Sequence, residues 1–208
     1  SISIPNSVKE IASSVFANCS TLSYVYVHST SVPSLKKNGF GFTIEGMRIL
    51  VANHLLFSFQ SATNWRDYAN KMLPIEYICK EPGFEDYIIE NISGSNYRLV
   101  GYLGNADTIY IESNISQDII ITEISSYAIN HFAKEITLAE GIASLNSYAF
   151  YNARNLETIM LPSTLESIGE YAFYGLSALN SVTVSDFVEE QIVIPKLKTI
   201  SSYAFYNT

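Results

Sequence analysis

The chain has 208 residues, of which 48% are hydrophobic and 15% are charged, and its formal net charge is −8. This composition allows a sizeable core and excludes a disordered chain, and the negative charge argues against nucleic acid and anionic membranes as partners, because both attract basic patches. The sequence has no run of about 18 apolar residues, so we expect no membrane insertion of this segment.

The first 27 residues, SISIPNSVKEIASSVFANCSTLSYVYV, predict two short strands. Apolar and polar residues alternate at residues 2–4 and 25–27, as expected for strands with one buried face. The two segments lie 23 residues apart, which indicates an internal repeat. Because the chain starts in a strand and stops inside a repeated phrase, we interpret it as a segment of a longer protein.

The stretch from residue 49 to residue 75 predicts the end of a first block. A strand is expected at residues 49–51, followed by helical residues in which Leu55, Phe59 and Ala62 share one face. Trp65 opens a second helical stretch and is expected to cover the open end of the core. We therefore predict two blocks, residues 1–75 and 76–208.

Residues 85–104, EDYIIENISGSNYRLVGYLG, predict a β-hairpin that opens the second block. Its turn is expected around residues 93–96, where Gly94 supplies a permissive backbone. The following segment, DTIYIES, alternates again and predicts a strand at residues 109–111.

The rest of the chain repeats with a period of 23 residues. NSYAFYN and SSYAFYN share six of seven residues, and the triplet YAF recurs at residues 148–150, 171–173 and 203–205. Strand-like segments keep the same step at residues 136–138, 159–161 and 182–184. The last interval between triplets is nine residues longer, and the extra residues fall within SDFVEEQIVIPK.

Packing explains why the triplet returns. Ala149 lets the backbones of neighbouring repeats approach, and Phe150 fills the interior. Because no single repeat can bury its own apolar face, the repeats stack, with parallel strands about 4.8 Å apart. The phrase SIGE at residues 167–170 fits a capping box that opens a short helical turn. The predicted fold is a repeat solenoid with short parallel β-strands on one face and short helical turns and loops on the other.

The repeats IPNSVKEIASSVFANCSTL and LPSTLESIGEYAFYGLSAL share a pattern of strand, proline, spaced aliphatic residues and Ala-Phe or Val-Phe. This pattern resembles the BspA-like leucine-rich repeats of bacterial and protozoan surface proteins. The resemblance implies a solenoid at the cell surface or outside the cell, and adhesion or protein binding rather than catalysis.

The sequence holds no pattern that is typical of an enzyme. H-E-x-x-H, G-x-S-x-G and C-x-x-C are all absent, so we expect no catalysis, no cofactor and no metal. Asp186, Glu189 and Glu190 could bind a cation, but the calcium-loop spacing is absent and a solvated charge run is the better interpretation. The tyrosines beside each Ala-Phe pair recur in phase, which favours a structural role over binding.

Candidate ligand-binding residues lie between the inward residues of each predicted strand. Such residues point to the outer face of the sheet, and those selected are Tyr24, Tyr26, Tyr110 and Met160. Tyrosine and methionine on an open sheet suit protein contacts, although packing between neighbouring strands explains them equally well.

Three functions remain open on the sequence alone. The first is a non-enzymatic, adhesin-like module that binds a host extracellular or cell-surface protein through its sheet face. The second is glycan binding, with Tyr24, Tyr26 and Tyr110 stacking on sugar rings. The third is a spacer that holds another domain away from the cell surface.

Overall fold

A computed structural model describes residues 1–41, 47–129, 133–151, 153–185, 187–188, 191–192 and 196–208. The chain divides into two compact units, Ser1–Tyr77 and Ile78–Thr208, and each has its own hydrophobic core. The acidic run of Asp186, Glu189 and Glu190 lies outside the described residues.

The first unit is built from short parallel strands and helical turns. Its strands are β1 (Ile2–Ile4), β2 (Glu10–Ile11), β3 (Tyr24–Val27), β4 (Ser34–Leu35), β5 (Arg48–Val51) and β6 (Met72–Pro74), and its helices are α1 (Leu56–Ser61) and 3₁₀ turns at Asn53–Leu55, Trp65–Lys71 and Ile75–Tyr77. One sheet has the order β1-β3-β5-β6, and β2 pairs with β4. All these pairs are parallel.

Trp65 closes the core of the first unit. Its side chain is fully buried, its ring contacts Phe59 edge-on at 4.9 Å, and its Nε1 donates to the Pro33 carbonyl at 2.7 Å. A helix as short as α1 is marginal alone, so its apolar residue Phe59, which is also fully buried, fixes it by packing. The predicted burial of Trp65 is confirmed.

The second unit contains most of the strands. They are β7 (Tyr87–Ser93), β8 (Asn96–Tyr102), β9 (Thr108–Ile111), β10 (Asn114–Ser116), β11 (Ile119–Ile124), β12 (Glu135–Leu138), β13 (Ser144–Leu145), β14 (Thr158–Leu161), β15 (Ser167–Ile168), β16 (Ser181–Val184), β17 (Phe187–Val188), β18 (Gln191–Ile192) and β19 (Thr199–Ile200). Strands β7 and β8 form the expected hairpin, and Gly94 in its turn has a φ of +56°.

Two sheets of the second unit enclose its core. The first has the order β9-β12-β14-β16, and every pair in it is parallel. Strands β12, β14 and β16 pair in the register that the 23-residue period predicts, whereas β9 and β12 pair with a longer step, Thr108 beside Glu135. The predicted parallel strands are therefore confirmed. The second sheet, β7-β8-β11-β13-β15-β19, is parallel except at the hairpin, and β10 pairs antiparallel with β11.

The second sheet corrects one sequence prediction. Ser167 begins the two-residue strand β15, which pairs with Ser144 of β13 and Thr199 of β19, rather than capping a helical turn. The backbone nitrogen of Gly169, which a helix starting at Ser167 would leave for the capping side chain, donates instead to the Leu145 carbonyl of the neighbouring repeat at 2.8 Å. Gly169 permits this close packing, because a Cβ there would lie 2.4 Å from the backbone nitrogen of Ser147. The described Tyr-Ala-Phe segments likewise form turns rather than helices.

A ladder of phenylalanines fills the core of the second unit. Phe150 and Phe173 are fully buried as predicted, and their rings stack at 5.3 Å, with Phe205 stacking on Phe173 at 4.8 Å. Ala149 and Ala172, also fully buried, leave room for the backbone of the next repeat. The repeated triplet therefore places one ring and one small residue in each layer of the core.

Glu140 links two successive repeats. Its carboxylate accepts hydrogen bonds from the backbone nitrogen and hydroxyl of Ser163, at 2.8 and 2.9 Å, and from the backbone nitrogen of Thr164 at 3.1 Å. Ser163 is buried, so the carboxylate satisfies polar groups that would otherwise lack a partner.

Candidate functional site

The open surface of the first sheet in the second unit is called here the sheet face. It consists of the outward side chains of β9, β12, β14 and β16: Thr108, Tyr110, Glu135, Thr137, Thr158, Met160, Ser181 and Thr183. Inward residues such as Ile109 and Ile136 are buried, because side chains alternate along a strand.

Tyr110 and Met160 are the large side chains at the centre of the sheet face. Tyr110 pairs with Thr137, and Thr137 pairs with Met160, so the two are separated by one strand, at about 10 Å. Tyr110 is 54% exposed and Met160 is 44% exposed. The structure therefore brings together two of the four predicted binding residues and leaves both open to solvent.

The polar groups around Tyr110 set the electrostatics of this surface. Burial raises the pKa of Tyr110, and the negative charges of Glu112 and Glu140 raise it further. The phenol consequently remains a neutral hydrogen-bond donor and acceptor at physiological pH. Beside it, the Thr108 hydroxyl donates to the Glu135 carboxylate at 3.3 Å.

Tyr87, which sequence reasoning missed, fixes the end of the strand that carries Tyr110. Its hydroxyl donates to the Tyr110 carbonyl at 3.2 Å and accepts from the Glu112 backbone nitrogen at 2.9 Å. Burial raises the pKa of Tyr87 to about 12. The alternation of the predicted hairpin could have indicated that Tyr87 points inward. It could not have indicated that the Tyr87 hydroxyl bonds to the backbone of Tyr110, on a separate strand.

Tyr24 was wrongly predicted to be exposed. It is only 3% exposed, and Leu50, expected on the same outer face, is fully buried. The register places Arg48 directly beside Tyr24, with the side chains about 4.8 Å apart, and Arg48 is itself buried. Alternation therefore gives the correct face of the strand but not its exposure.

Tyr26 is half-buried and stacks on His28, with ring centroids 6.2 Å apart. It belongs to the first unit together with Tyr24, whereas Tyr110 and Met160 belong to the second. Tyr24 and Tyr26 lie on β3 of one sheet, and Tyr110 and Met160 lie on β9 and β14 of another. The burial of Tyr24 also removes it as a platform for sugar rings.

The family model described as BspA type leucine rich repeat region matches residues 1–62 and 106–208 of the chain, in six copies. The chain belongs to this family. A solved structure described as a leucine rich cell surface protein from Faecalibacterium prausnitzii A2-165 aligns with 88% of this chain at 18% identity and a TM-score of 0.32. This BspA-type chain spans 59% of that protein's chain. No curated protein matches it.

The BspA-type repeats of the second unit carry a second ordered surface, the tyrosine ladder: Tyr127, Tyr148, Tyr171 and Tyr203 in one row, and Tyr151, Tyr174 and Tyr206 in the other. Rings in the first row stack at 5.2–5.5 Å, with planes 6–11° apart. The two rows contact each other edge-on. These contacts support the structural role predicted for the recurring tyrosines.

Within the part of the chain that the structure describes, no three His, Cys, Asp or Glu side chains are grouped so that they could hold a metal ion. The described helices include none that is long and apolar enough to cross a bilayer.

Proposed function

We propose that this BspA-type chain is a non-enzymatic, extracellular binding module that contacts a protein in an adhesin-like manner. The contact surface is the sheet face, centred on Tyr110 and Met160. The proposed partner is a protein outside the cell or at a cell surface.

The observation that carries the proposal is the open pair of Tyr110 and Met160 on a continuous four-stranded surface. Tyrosine offers a large contact area at a low cost in side-chain entropy, and methionine adapts to irregular partners. The neighbouring side chains, Thr137 and Thr183, are small enough to leave both accessible.

The absence of catalysis is part of the proposal. On the described surface, the sheet face offers threonine and serine hydroxyls, a tyrosine, a methionine and a single carboxylate. It shows no nucleophile activated by a neighbouring base, and such a pair is what hydrolytic or group-transfer chemistry requires.

The experiment begins by identifying the partner through the sheet face itself. A photo-crosslinking amino acid at position 137, between Tyr110 and Met160, captures a bound protein from extracellular matrix extracts. The affinity of the purified partner is then measured for the wild-type chain, for Tyr110→Ala/Met160→Ala, and for the control Tyr203→Ala/Tyr206→Ala. The control also removes two exposed large side chains from the second unit.

We expect the sheet-face pair to weaken binding by roughly thirtyfold, because a hot-spot side chain contributes about 2 kcal/mol or more. The control pair should bind as the wild type does. The proposal is contradicted if only the control variant loses binding, or if both variants fold and neither of them loses binding.

A further inference from the structure

A small notch opens in the turns of the second unit, beside the tyrosine ladder. Its volume is about 270 Å³. We call it the Gly175 notch, and it is lined by Tyr151, Arg154, Tyr174, Gly175, Ser177 and Asn207. The pockets that hold drug-sized ligands begin at about 300 Å³, so this notch suits a ligand group of one or two small rings.

The notch lies at a repeat position where the side chain changes. Gly175 follows Tyr174, and Asn207 follows Tyr206 at the equivalent position, because the two tyrosine rings stack at 5.8 Å. Gly175 has a φ of +75° and Asn207 has a φ of +58°, so both turns use left-handed backbone. Gly175 therefore contributes only backbone to the notch. Beside it, Tyr151 stacks on Tyr174 at 5.1 Å, with the ring planes 6° apart.

Arg154 gives the notch its charge. Among the described residues that line it, Arg154 alone is charged. Arg154 is exposed, and it forms no salt bridge within the described part of the chain, whereas Lys134 and Lys198 of the same unit pair with carboxylates at 3.2 and 2.9 Å. A guanidinium stays protonated at any physiological pH, so the notch offers one positive charge on a chain whose net charge is −8.

The other side chains of the lining are neutral and form hydrogen bonds. Ser177, Asn207 and the two tyrosines can all donate and accept, as the hydroxyl groups of a sugar do. A planar carboxylate suits the guanidinium, because the two form a bidentate pair. A phosphate monoester carries nearly two negative charges, and a notch with a single cation would leave one of them unpaired.

We propose that the Gly175 notch binds a terminal sugar that carries a carboxylate. The carboxylate pairs with Arg154, and the sugar hydroxyls bond to Ser177 and Asn207. Sialic acids and hexuronic acids share this chemistry, so a glycan that ends in either class of sugar could supply the ligand. The site lies on the turns rather than on the sheet face, and it does not depend on the proposed function.

The test is a nuclear magnetic resonance titration of the whole 208-residue chain, labelled with ¹⁵N, because this method detects the weak binding of single sugars. The acidic probes are the methyl glycosides of N-acetylneuraminic acid and of glucuronic acid. Their neutral counterparts are the carboxyl methyl ester of the first probe and methyl glucoside. Acetate tests whether a carboxylate without a sugar is sufficient.

We expect at least one acidic probe to bind, and to bind roughly tenfold or more tightly than its neutral counterpart. The probe that binds identifies the source of the carboxylate. The proposal is overturned if neither acidic probe binds at millimolar concentration, if a neutral counterpart binds equally well, or if acetate binds as tightly as the acidic sugars.

Arg154→Gln removes the charge from the notch and keeps a hydrogen-bonding side chain. Loss of the charged partner should weaken binding of the acidic probe by about 10- to 150-fold. The matched control, Lys196→Gln, removes an exposed cation from the loop before β19 and should bind as the wild type does. Equal effects of the two variants, or no effect of Arg154→Gln, overturn the assignment to the notch.

Gly175→Asn tests the shape of the notch independently of its charge. The substitution adds the side chain that the next repeat carries at Asn207, on a positive φ that asparagine tolerates. We expect the variant to keep the dispersed spectrum of a folded protein and to bind the acidic probe more weakly. A folded Gly175→Asn variant that binds the probe as the wild type does contradicts the notch as the binding site.

Discussion

Replacement of Tyr171 by asparagine tests what the tyrosine ladder contributes to stability, because two effects of opposite sign compete at this position. Tyr171 has a φ of +55°, in the left-handed region that asparagine adopts more readily than tyrosine. Its ring stacks on Tyr148 and on Tyr203, each at 5.2 Å. The substitution relieves the backbone and removes both stacked contacts.

The magnitudes favour the ring contacts. Relief of the left-handed backbone gains about 1–2 kcal/mol. Each stacked pair is worth about 0.5–1.5 kcal/mol, and the edge-on contacts with Tyr174 at 5.8 Å and Tyr206 at 6.4 Å add to the loss. We therefore expect Tyr171→Asn to lower the free energy of unfolding by about 1–4 kcal/mol. Tyr171→Phe keeps every ring contact and should change it by less than about 0.5 kcal/mol.

The assay is urea denaturation read by pulsed hydrogen exchange of peptides from β14 and β16, which reports on the second unit. Asn38→Tyr is the reciprocal control. Asn38 has a φ of +58° in the first unit, where the neighbouring repeat carries Ser14 instead of a tyrosine. A tyrosine at position 38 would adopt the same strained backbone but would have no tyrosine in the neighbouring repeat to stack on, so it should destabilise the first unit. A Tyr171→Asn variant as stable as the wild type would refute the reasoning.

Three further predictions concern buried rings. Phe173→Ala removes a fully buried side chain and should cost about 3–5 kcal/mol, seen as a fall of about 6–20 °C in the thermal midpoint. Trp65 should emit at short wavelength in the folded protein and shift to the red on unfolding, since its indole is fully buried. Burial raises the pKa of Tyr87 to about 12, so between about pH 10 and 12 only the unfolded state loses the proton and stability falls as pH rises. Tyr87→Phe should flatten this decline in urea titrations at several pH values.

The strands of the fold could be predicted because repeats restrict the same positions again and again. Ile136 and Ile159 lie one period apart, and the structure pairs them directly. Because the repeats stack, residues at the same position of successive repeats lie side by side on neighbouring strands. The phase of the sequence repeat therefore predicts the register of the strands. The second sheet was missed although Leu145 and Ile168 also recur in phase, because strands of two residues are too short to show alternation.

The candidate site could be predicted only in part. Alternation correctly places Tyr24 and Tyr110 on outer faces, yet Tyr24 is buried and Tyr110 is 54% exposed. The residue paired with Tyr24 on the neighbouring strand is Arg48, which is itself buried, whereas the residue paired with Tyr110 is the smaller Thr137. Exposure depends on neighbours that are distant in sequence, and a pattern within one strand carries no information about them.

The outward side chains of the sheet face vary along the stack of repeats while the inward side chains do not, and this difference favours a protein as the ligand. On the sheet face, the outward position reads Tyr110, Thr137 and Met160 in successive strands, although the inward residues beside them hardly change. A position that varies while its surroundings repeat is not restricted by packing, and an irregular surface of this kind suits an irregular partner such as a protein.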